Sequence, residues 1–481
     1  MNIIAVDLGT SRIKAACFDE AGNMTELHSR RISRADSPVT QDAEQWFLLS
    51  AELLREINLK LPVPPDAVVL TGNMHALLGV DLSGNPAAPA LLWSDNSAQA
   101  ESDMLNKVYG KALVNSFGNK SIPVFTLPKM LRMKNNFPQL YEKCQTFMQS
   151  KDFLAFRLTG KRVTDPTDAS GVLGMELDTG AWNCDFLSDL GLDISKFPEI
   201  IPTASFCGSV TAQAAALTGL KQGTPVVIGS GDLASAAVGS KVNKDTVSLT
   251  LGTAGQLLAS GSAEDGKKLA EKLFVFAHAD PRENLFLGSV PAGGFSFEWF
   301  AKLHNISVDD FFELASQAPL SDTLPVFMPY ILGRGAPYME YIPQGAWFDL
   351  SAGNTLAELC RAAVAGALSS LRQSADMLEK LAGRRSNLVL QALACREDAV
   401  RQTACALFEQ QKYTPINSEA SLSGAAVIGF TALGVYPDIK SAAEVMIKQQ
   451  KCVSEISPEA QKHYRKFLKY AGAIDGLYTG I

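Results

Sequence analysis

The first residues of the chain have a pattern that predicts two antiparallel strands. Residues 3–8 are an apolar run interrupted only by Asp7, residues 9–11 are a Gly-Thr-Ser turn, and every second residue of 13–17 is apolar. An apolar period of two is typical of a half-buried strand. We therefore expect a β-hairpin at the start of the chain, with residues 24–30 returning as a third strand.

A helix and a buried strand follow the hairpin. Residues 42–59 carry apolar side chains at helical spacing, with acidic residues in the first turns, and residues 67–72 are a short apolar run that ends in glycine. A strand, a helix and a strand in this order imply a parallel crossover, and ligands of such sheets bind where the strands end. Residues 73–75 (Asn-Met-His) lie at that position.

The opening pattern occurs a second time later in the chain. Residues 225–231 predict a strand that leads into a helix of small residues at Asp232, and residues 246–258 predict another hairpin. Leu251-Gly252-Thr253 repeats the order of Leu8-Gly9-Thr10. Such a repeat indicates two similar domains that each present a turn to one cleft.

The remaining segments are predicted to be mainly helical. Residues 355–381 form the clearest helix, because Thr355 and Glu358 make a capping-box pattern and Gly383 can end it. Other expected elements are helices within 98–160, a loop-rich stretch over 164–225, a strand at 387–390, a helix ending at 408, an apolar helix at 422–433 that completes the second domain, and a surface helix at 454–470.

Composition narrows the class of protein. The chain has 481 residues, which at about 150 residues per domain indicates two or three domains. A net charge of −7 gives no basic face for nucleic acid or acidic lipid. We expect no signal peptide and no membrane span, and hence a cytoplasmic protein. Eight cysteines without a Cys-x-x-Cys pair indicate reduced thiols, and five histidines without ligand spacing argue against structural zinc.

The first turn has the chemistry of a phosphate site. Gly9 allows close approach of a ligand, Thr10 and Ser11 offer hydroxyl groups beside backbone N–H groups, and Lys14 adds positive charge. Asp7 could hold hydrated Mg²⁺ beside the phosphate. Taken alone, an Asp-x-Gly-Thr sequence is more often a polar turn with a solvated aspartate, because short motifs have many false matches.

Five stretches, in this order and spacing, resemble the FGGY family of carbohydrate kinases, and within it the xylulokinase-like members most. They are AVDLGTSRIK at 5–14, TGNMHALLGVD at 71–81, WSD at 93–95, GSGDLASAAVG at 229–239 and LTLGTAG at 249–255. The resemblance implies an α/β fold of two ribonuclease-H-like domains, as in actin and hexokinase, that flank a catalytic cleft. It divides the chain into a sugar-binding domain at 1–240 with the first phosphate turn, a nucleotide-binding domain at 241–440, and a helical tail at 441–481 packed on the second domain.

The same resemblance implies a reaction. Family members transfer phosphate from ATP, with Mg²⁺, to a terminal hydroxyl of a small sugar: here a ketopentose such as xylulose, or a related polyol or sugar acid. Asp232 matches the general base, and the nearby helix N-terminus is expected to keep it ionised. On pattern alone, Asp232 is more often the N-cap of a helix that starts at Leu233, and the two roles can coexist.

The other site residues also follow from the resemblance. Gly9, Thr10, Ser11 and Lys14 match the first phosphate stretch, with Asp7 near the metal, and Gly252 and Thr253 match the second phosphate stretch. Met74 and His75 match the pair that lines the sugar pocket, although a single histidine after a strand is more often structural. Besides the sugar we expect no nucleic-acid or membrane partner, and a homodimer is left open.

One departure from the family pattern bears on function. The family usually has a Gly-Gly-Gly turn that lets adenine lie on the backbone, and this chain has Gln391-Ala392-Leu393-Ala394. Leu393 is expected to crowd the base. Two readings stay open: a working kinase with an altered donor site, or a catalytically impaired homologue that acts as a sugar-binding or regulatory protein. An actin-like assembling ATPase would leave Met74, His75 and Asp232 without a role.

Overall fold

A computed structural model describes residues 1–33, 37–339, 343–383, 386–452 and 456–478. The strands of residues 1–240 are β1 (Asn2–Leu8), β2 (Arg12–Asp19), β3 (Met24–Arg31), β4 (Thr40–Gln41), β5 (Ala67–Gly72), β6 (Leu78–Val80), β7 (Ala90–Leu91), β8 (Thr146–Met148), β9 (Val163–Thr164), β10 (Glu199–Ile200), β11 (Phe206–Ser209) and β12 (Pro225–Gly231). The helices are α1 (Ala43–Lys60), α2 (Gln99–Phe117), α3 (Thr126–Asn136), α4 (Pro138–Lys143), α5 (Ser150–Thr159), α6 (Pro166–Ser170), α7 (Cys184–Asp189), α8 (Ala212–Thr218) and α9 (Asp232–Gly239).

The second half of the chain has its own strands and helices. Its strands are β13 (Thr246–Leu251), β14 (Gly255–Gly261), β15 (Phe274–Ala277), β16 (Asn284–Val290), β17 (Val326–Met328), β18 (Ala346–Phe348), β19 (Asn387–Ala392), β20 (Lys412–Pro415) and β21 (Gln449–Lys451). Its helices are α10 (Ala263–Leu269), α11 (Phe295–Leu303), α12 (Val308–Gln317), α13 (Leu356–Ala382), α14 (Leu393–Arg396), α15 (Asp398–Leu407), α16 (Ala420–Ala432), α17 (Ile439–Met446) and α18 (Pro458–Tyr478).

The first sheet has the strand order β11-β12-β5-β1-β2-β3. β1, β2 and β3 form the predicted antiparallel meander, and Asp7 pairs with Lys14 across the first hairpin. β1, β5 and β12 run parallel, so their carboxyl ends meet at one edge. Alternate residues of β1 serve two cores: Ile3 and Ala5 face one, and Ile4 and Val6 face the core under α1.

The second sheet repeats this topology, with the order β15-β16-β14-β13-β19-β20-β21. β13 and β14 form a hairpin like β1 and β2, and β13, β19 and β20 run parallel like β1, β5 and β12. The internal repeat that the sequence predicted is therefore confirmed. The turns of both opening hairpins lie at the carboxyl ends of the parallel strands of their sheets.

The long helix α13 forms the centre of the second core. Thr355 and Glu358 make the predicted capping box at its start, and Gly383 ends it in the left-handed conformation with φ +66°. Its buried face includes small residues that let β17 approach: a Cβ at Gly366 would lie 2.2 Å from the Phe327 carbonyl oxygen. The tail helix α18 packs on the same core through Tyr464 and Phe467.

Helix α16 lies on the first sheet, whereas the sequence analysis assigned residues 422–433 to the second domain. It packs against α9, β1 and β5, and its buried side chains share the core of Ile3. A helix that is apolar on all sides needs burial on all sides, and the first sheet supplies it. The division of the chain at residues 240 and 440 stays a prediction. Across the described residues, no helix is long and apolar enough to cross a membrane.

Gly239 in α9 and Gly424 in α16 allow these two helices to touch along their backbones. A Cβ at Gly424 would lie 1.8 Å from the Ser235 carbonyl oxygen, so we expect Gly424→Ala to destabilise the protein by about 2 to 3 kcal/mol through overpacking. Gly472, in α18, has open space around the position of a Cβ. The control Gly472→Ala should stabilise by about 1 kcal/mol, since alanine favours helix. Thermal unfolding of both variants checks this, and an unchanged Tm for Gly424→Ala would contradict the contact.

Candidate active site

Three parallel strands of the first sheet place predicted site residues at one edge of that sheet. Asp7 lies near the end of β1, residues 73–75 follow β5, and Asp232 follows β12 as the first residue of α9. β5 lies between the other two strands. Ligands of parallel sheets bind at the carboxyl ends of strands, and these side chains are at that edge.

A cavity of about 360 Å³ connects this edge to the second sheet. Its lining includes Asp7, Lys14 and Asp232 from the first sheet and its neighbours and Thr250 and Gln256 from the second hairpin. It also includes Gln391 and Ala392 at the end of β19, and Cys395 and Arg396 in the helix that follows. The N-terminal end of α16, at Glu419, closes one side. The structure thus brings Asp7, Lys14 and Asp232 together with the segment where the family glycines were expected.

Asp7 and Asp232 are carboxyl groups in surroundings that disfavour negative charge. Burial raises the pKa of Asp7 to about 6, with Lys14 acting in the opposite direction. Burial also raises the pKa of Asp232 to about 7, and the nearby charge of Asp7 adds to the effect. The N–H of Leu233 at the helix start favours the ionised form, but burial outweighs it. The expectation that the helix start keeps Asp232 ionised is therefore corrected.

Helix α9 begins at Asp232, one residue before the start at Leu233 that an N-cap role for Asp232 would require. Gly231 is the N-cap residue of α9, and no side chain caps this end. Asp232 is the first helical residue, partly buried, and its side chain lines the cavity. Asp232 is therefore not the N-cap of a helix that starts at Leu233, and its carboxylate faces the cleft.

The residues present fit a magnesium ion. Asp7 Oδ1 is buried and has no hydrogen-bond partner among the described residues, so it is available to a cation. Within the same described ranges, no group of three or more His, Cys, Asp or Glu side chains forms a ready-made metal site. Mg²⁺ commonly binds one or two carboxylates and completes its coordination with phosphate oxygens and water. Asp7 and Asp232 are two of the three carboxylates that line this cavity, and the third, Glu419, is paired with Lys14.

The first phosphate turn is tight and is tied to a tryptophan. A Cβ on Gly9 would lie 2.9 Å from the Arg12 carbonyl oxygen, so the turn closes without room for a side chain. The Trp93 indole N–H donates to Thr10 Oγ1 at 2.9 Å. Gly9, Thr10 and Ser11 do not line the cavity, whereas Asp7 and Lys14 on either side of this turn do. Sequence reasoning identified Trp93 as part of a motif but missed this contact.

Lys14 is the cation of the first hairpin that reaches the cavity. Its Nζ lies 2.5 Å from Glu419 Oε2, and both side chains are partly exposed. The ion pair joins β2 to the start of α16, so Lys14 is held in place before any phosphate arrives. The predicted phosphate contact requires Lys14 to share its charge with Glu419.

The second phosphate turn packs on the start of α11. The N–H of Gly294 donates to the Gly252 carbonyl oxygen at 2.7 Å, and the N–H of Phe295 donates to that of Thr253 at 2.9 Å. Thr253 is exposed. Gly252 and Thr253 lie outside the cavity lining, whereas Thr250 and Gln256 of the same hairpin line it.

The predicted sugar residues lie against the strand end that carries Asp232. A Cβ at Gly231 would lie 2.7 Å from Met74 Cγ, so the Met74 side chain touches the residue before Asp232. A Cβ at Gly171 would lie 3.0 Å from the His75 ring and 3.1 Å from Met74 Cε. The structure therefore brings Met74, His75 and Asp232 into one neighbourhood.

The tautomer and charge of His75 follow from its contacts. Nδ1 lies 2.8 Å from the Gly171 carbonyl oxygen, which can only accept, so Nδ1 carries the proton. Phe125 and Phe276 surround the ring at centroid distances of 5.1 and 5.7 Å. Burial lowers the pKa of His75 to about 4. The ring is neutral at pH 7 and presents the lone pair of Nε2 to a hydrogen-bond donor.

A buried lysine that sequence reasoning missed contacts the backbone of His75. Lys129 Nζ donates to the carbonyl oxygens of His75, at 3.0 Å, and of Leu92, at 2.6 Å. Burial lowers its pKa to about 7, and the charge of Asp95 opposes the shift. Lys129 therefore joins the turn of Met74 and His75 to the loop of Trp93 and Asp95. The only sequence signal was a lysine within an apolar helical stretch.

The backbone at the end of β19 has a conformation typical of glycine, although the residue there is alanine. Ala392 has φ +53° and ψ −126°, a conformation that side chains other than glycine rarely adopt. Leu393 packs toward Gly294 and the second core and does not line the cavity. Leu393 therefore lies outside this cavity, and the expected crowding of the base stays a prediction. Ala392, Cys395 and Arg396 line the cavity instead.

Comparison with known proteins places the chain in a family. The profile of the FGGY carbohydrate kinase N-terminal domain matches residues 2–239, and that of the C-terminal domain matches residues 247–433. The chain belongs to the FGGY family of carbohydrate kinases. The family, the two-domain fold class and the enzyme class expected from the sequence are thereby confirmed.

Full-length relatives and solved structures agree with this assignment. The chain is 26% identical to a xylulose kinase of Staphylococcus xylosus over 98% of this chain and 99% of the relative. It is 24% identical to a gluconokinase of Bacillus licheniformis over 100% and 97%. A ligand-bound xylulose kinase from Lactobacillus acidophilus shares the fold with a TM-score of 0.90 at 22% identity, covering 100% of this chain and 99% of that one.

The raised pKa of Asp232 makes stability depend on pH. The folded-state pKa is about 7 and the unfolded value about 3.9, so stability is full below pH 4 and is lost as pH rises toward and through 7. We expect Asp232→Asn to raise Tm at pH 8 in metal-free buffer and to leave Tm unchanged near pH 4. In Asp7→Asn, the folded-state pKa of Asp232 should be lower because the neighbouring charge is gone. The loss of stability should therefore be complete at a lower pH. Equal Tm differences at both pH values would contradict this assignment.

Proposed function

We propose that this chain transfers the terminal phosphoryl group of ATP, with Mg²⁺, to a terminal hydroxyl of a small sugar. Xylulose, a ketopentose, is the first candidate, and related polyols and sugar acids are the others. The observation that carries the proposal is a single sheet edge on which Asp232 lies close to Met74 and His75 and also lines a cavity that reaches the second sheet. A sugar hydroxyl and a phosphate donor would meet at Asp232.

Asp232 is the proposed general base. It would orient the attacking hydroxyl and accept its proton as the phosphoryl group transfers, a reaction that depends mostly on positioning and charge neutralisation. Its pKa near 7 matches a base that must hold a proton briefly at neutral pH. The low polarity that raises this pKa also strengthens the hydrogen bond to the hydroxyl.

Charge neutralisation falls to the cation and to Lys14. Magnesium, when bound, would neutralise the phosphate oxygens, and Asp7 would hold it with Asp232 nearby. Lys14 would contact phosphate from the first hairpin while paired with Glu419. Backbone N–H groups around Gly9 to Ser11 and around Gly252 and Thr253 would receive the phosphates from the two sides of the cleft.

Sugar recognition is assigned to Met74 and His75. The neutral His75 ring would accept a hydrogen bond from a sugar hydroxyl at Nε2, and the Met74 thioether would cover an apolar edge of the sugar. The names of the full-length relatives, xylulose kinase and gluconokinase, support a small acyclic or ring-opened sugar as substrate. Xylulose comes first because most of the similar relatives carry that name.

The rival function is a catalytically impaired homologue that binds sugar or regulates. The missing glycines of residues 391–393 are its basis. The orientation of Leu393 away from the cavity and the glycine-like backbone of Ala392 favour a working donor site. We therefore retain ATP as donor, with its base near Ala392, Cys395 and Arg396.

Phosphate transfer from ATP to a panel of ketopentoses, polyols and sugar acids tests the proposal. We expect turnover of at least one sugar, xylulose first, and a loss of about 100-fold or more in kcat for Asp232→Asn, because general-base catalysis contributes about that much. ATP and sugar binding by calorimetry serve as controls for the variant. Binding of both ligands without turnover by any sugar would support the impaired homologue, and a fully active variant would overturn the role of Asp232.

His75 should control sugar affinity and not donor affinity. We expect His75→Gln to raise the sugar KM about 10- to 100-fold, since one hydrogen bond to a buried polar group is lost, with the ATP KM unchanged. Because the pKa of His75 is about 4, sugar affinity in Asp232→Asn, which lacks the group that titrates near pH 7, should be constant between about pH 6 and 8. Steady-state kinetics measure the two KM values, and calorimetry at several pH values measures the sugar affinity of Asp232→Asn. An affinity of that variant that falls as pH drops through 6.5 would show that His75 titrates normally.

A further inference from the structure

The short helix α6 contacts Gly231, the residue that precedes Asp232. The backbone N–H of Gly231 donates to Thr167 Oγ1 at 2.8 Å. Gly231 is the N-cap of α9 and has no side chain, so this bond from a neighbouring helix holds the start of α9. Thr167 is fully buried.

The hydroxyl of Thr167 is itself fixed by a buried carboxylate. Thr167 Oγ1 donates to Asp165 Oδ2 at 2.7 Å, so its hydrogen is used there and its lone pair is directed to Gly231 N–H. Thr203 Oγ1 donates to the same oxygen at 2.9 Å. Lys151 Nζ lies 2.9 Å from the other oxygen of Asp165, and both side chains are inaccessible to solvent.

Charge makes this network rigid. Lys151 Nζ also lies 2.9 Å from Asp152 Oδ1 and 3.1 Å from Asp168 Oδ2, so one cation serves three buried carboxyl groups. Burial raises the pKa of Asp168 well above its usual range, and the charge of Lys151 opposes this shift. Removing any partner would leave a buried charge unpaired, so the network resists displacement.

The strand that leads to Asp232 needs such a support. The pairing of β12 with β5 shifts register between Val227 and Ser230. Within this bulge Gly229 has φ +68°, and a Cβ there would lie 1.7 Å from the Leu70 carbonyl oxygen. A bulge re-aims the residues that follow it, so the direction of Asp232 is set by whatever fixes the strand end.

The same helix also holds the sugar side of the site. The carbonyl oxygen of Gly171, directly after α6, accepts the Nδ1–H of His75. Ser170 Oγ accepts the N–H of Ala277 from the second sheet at 3.1 Å. One five-residue helix is therefore bonded to the base-bearing strand, to the sugar-contacting histidine and to the second sheet.

We propose that Thr167, fixed by Asp165 and Lys151, is a positioning residue that aims Asp232 at the sugar hydroxyl through the N–H of Gly231. The inference rests on the proposed role of Asp232 as base. Thr167 touches neither substrate nor metal in this scheme. It acts by setting the direction in which α9 begins.

Thr203 provides a matched control, because it bonds the same oxygen of Asp165 without touching Gly231. We expect Thr167→Val to lower kcat about 10- to 100-fold, since a small misplacement of a reacting group has this cost, with both KM values within about twofold. Thr203→Val should lose similar thermal stability and keep the parental kcat. Thr167→Ser, which restores the hydroxyl, should recover most of the rate. Should the valine variant not fold, Thr167→Ala carries the same comparison.

The pH profile separates positioning from a general structural role. In Thr167→Val the acidic limb of kcat should shift in pH, because Asp232 has a changed environment, whereas Thr203→Val should follow the parent. Equal kcat values and equal profiles for the two valine variants would overturn the proposal. Asp232→Asn is assayed in parallel. If that variant keeps the parental kcat, the proposed base is wrong whatever Thr167 does, and the two failures are distinguished.

Discussion

The carboxylates of Asp7 and Asp232 line one cavity whose buried surroundings disfavour negative charge. The rest of the site depends on how this unfavourable charge is compensated. Burial raises the pKa of both groups, and the charge of Asp7 raises that of Asp232 further. The one lysine of the first hairpin that reaches the cavity is already shared with Glu419. A cation brought with the donor would relieve the repulsion, so we expect donor binding and ionisation of Asp232, the proposed base, to be linked.

A rigid scaffold is needed to keep two like charges together. The parallel strands β1, β5 and β12 place their ends side by side, and α16 packs on β1 and β5 and touches the backbone of α9. Behind the strand ends, the buried network of Lys151 and its carboxyl partners fixes Thr167, and Lys129 fixes the turn of His75. Buried lysines thus hold both the strand end that carries Asp232 and the turn that carries His75.

Local patterns in the sequence predicted much of this fold and only part of the site. The two hairpins, the parallel crossovers and the capped helix α13 follow from period, turn chemistry and caps, which are local. The place of α16 was missed because its contacts are with residues about 180 or more positions earlier in the chain. Lys129 and Lys151 were missed because a lysine in a helical pattern usually points to solvent. The direction of Leu393 depends on the backbone angles of Ala392, which residue type does not reveal.

Burial and the charge of Asp7 raise the pKa of Asp232 to about 7, and we expect a bound cation to lower it. Carbon-13 NMR titration of the aspartate carboxyl groups, with Asp232→Asn for assignment, tests this claim most directly. The account predicts a carboxyl signal that titrates near pH 7 in the metal-free protein and is missing from the variant. Addition of Mg²⁺ with a non-hydrolysable ATP analogue should lower that midpoint by about one unit or more. An Asp232 signal that titrates near pH 4 without metal, or one that Mg²⁺ and nucleotide leave unmoved, would contradict the account.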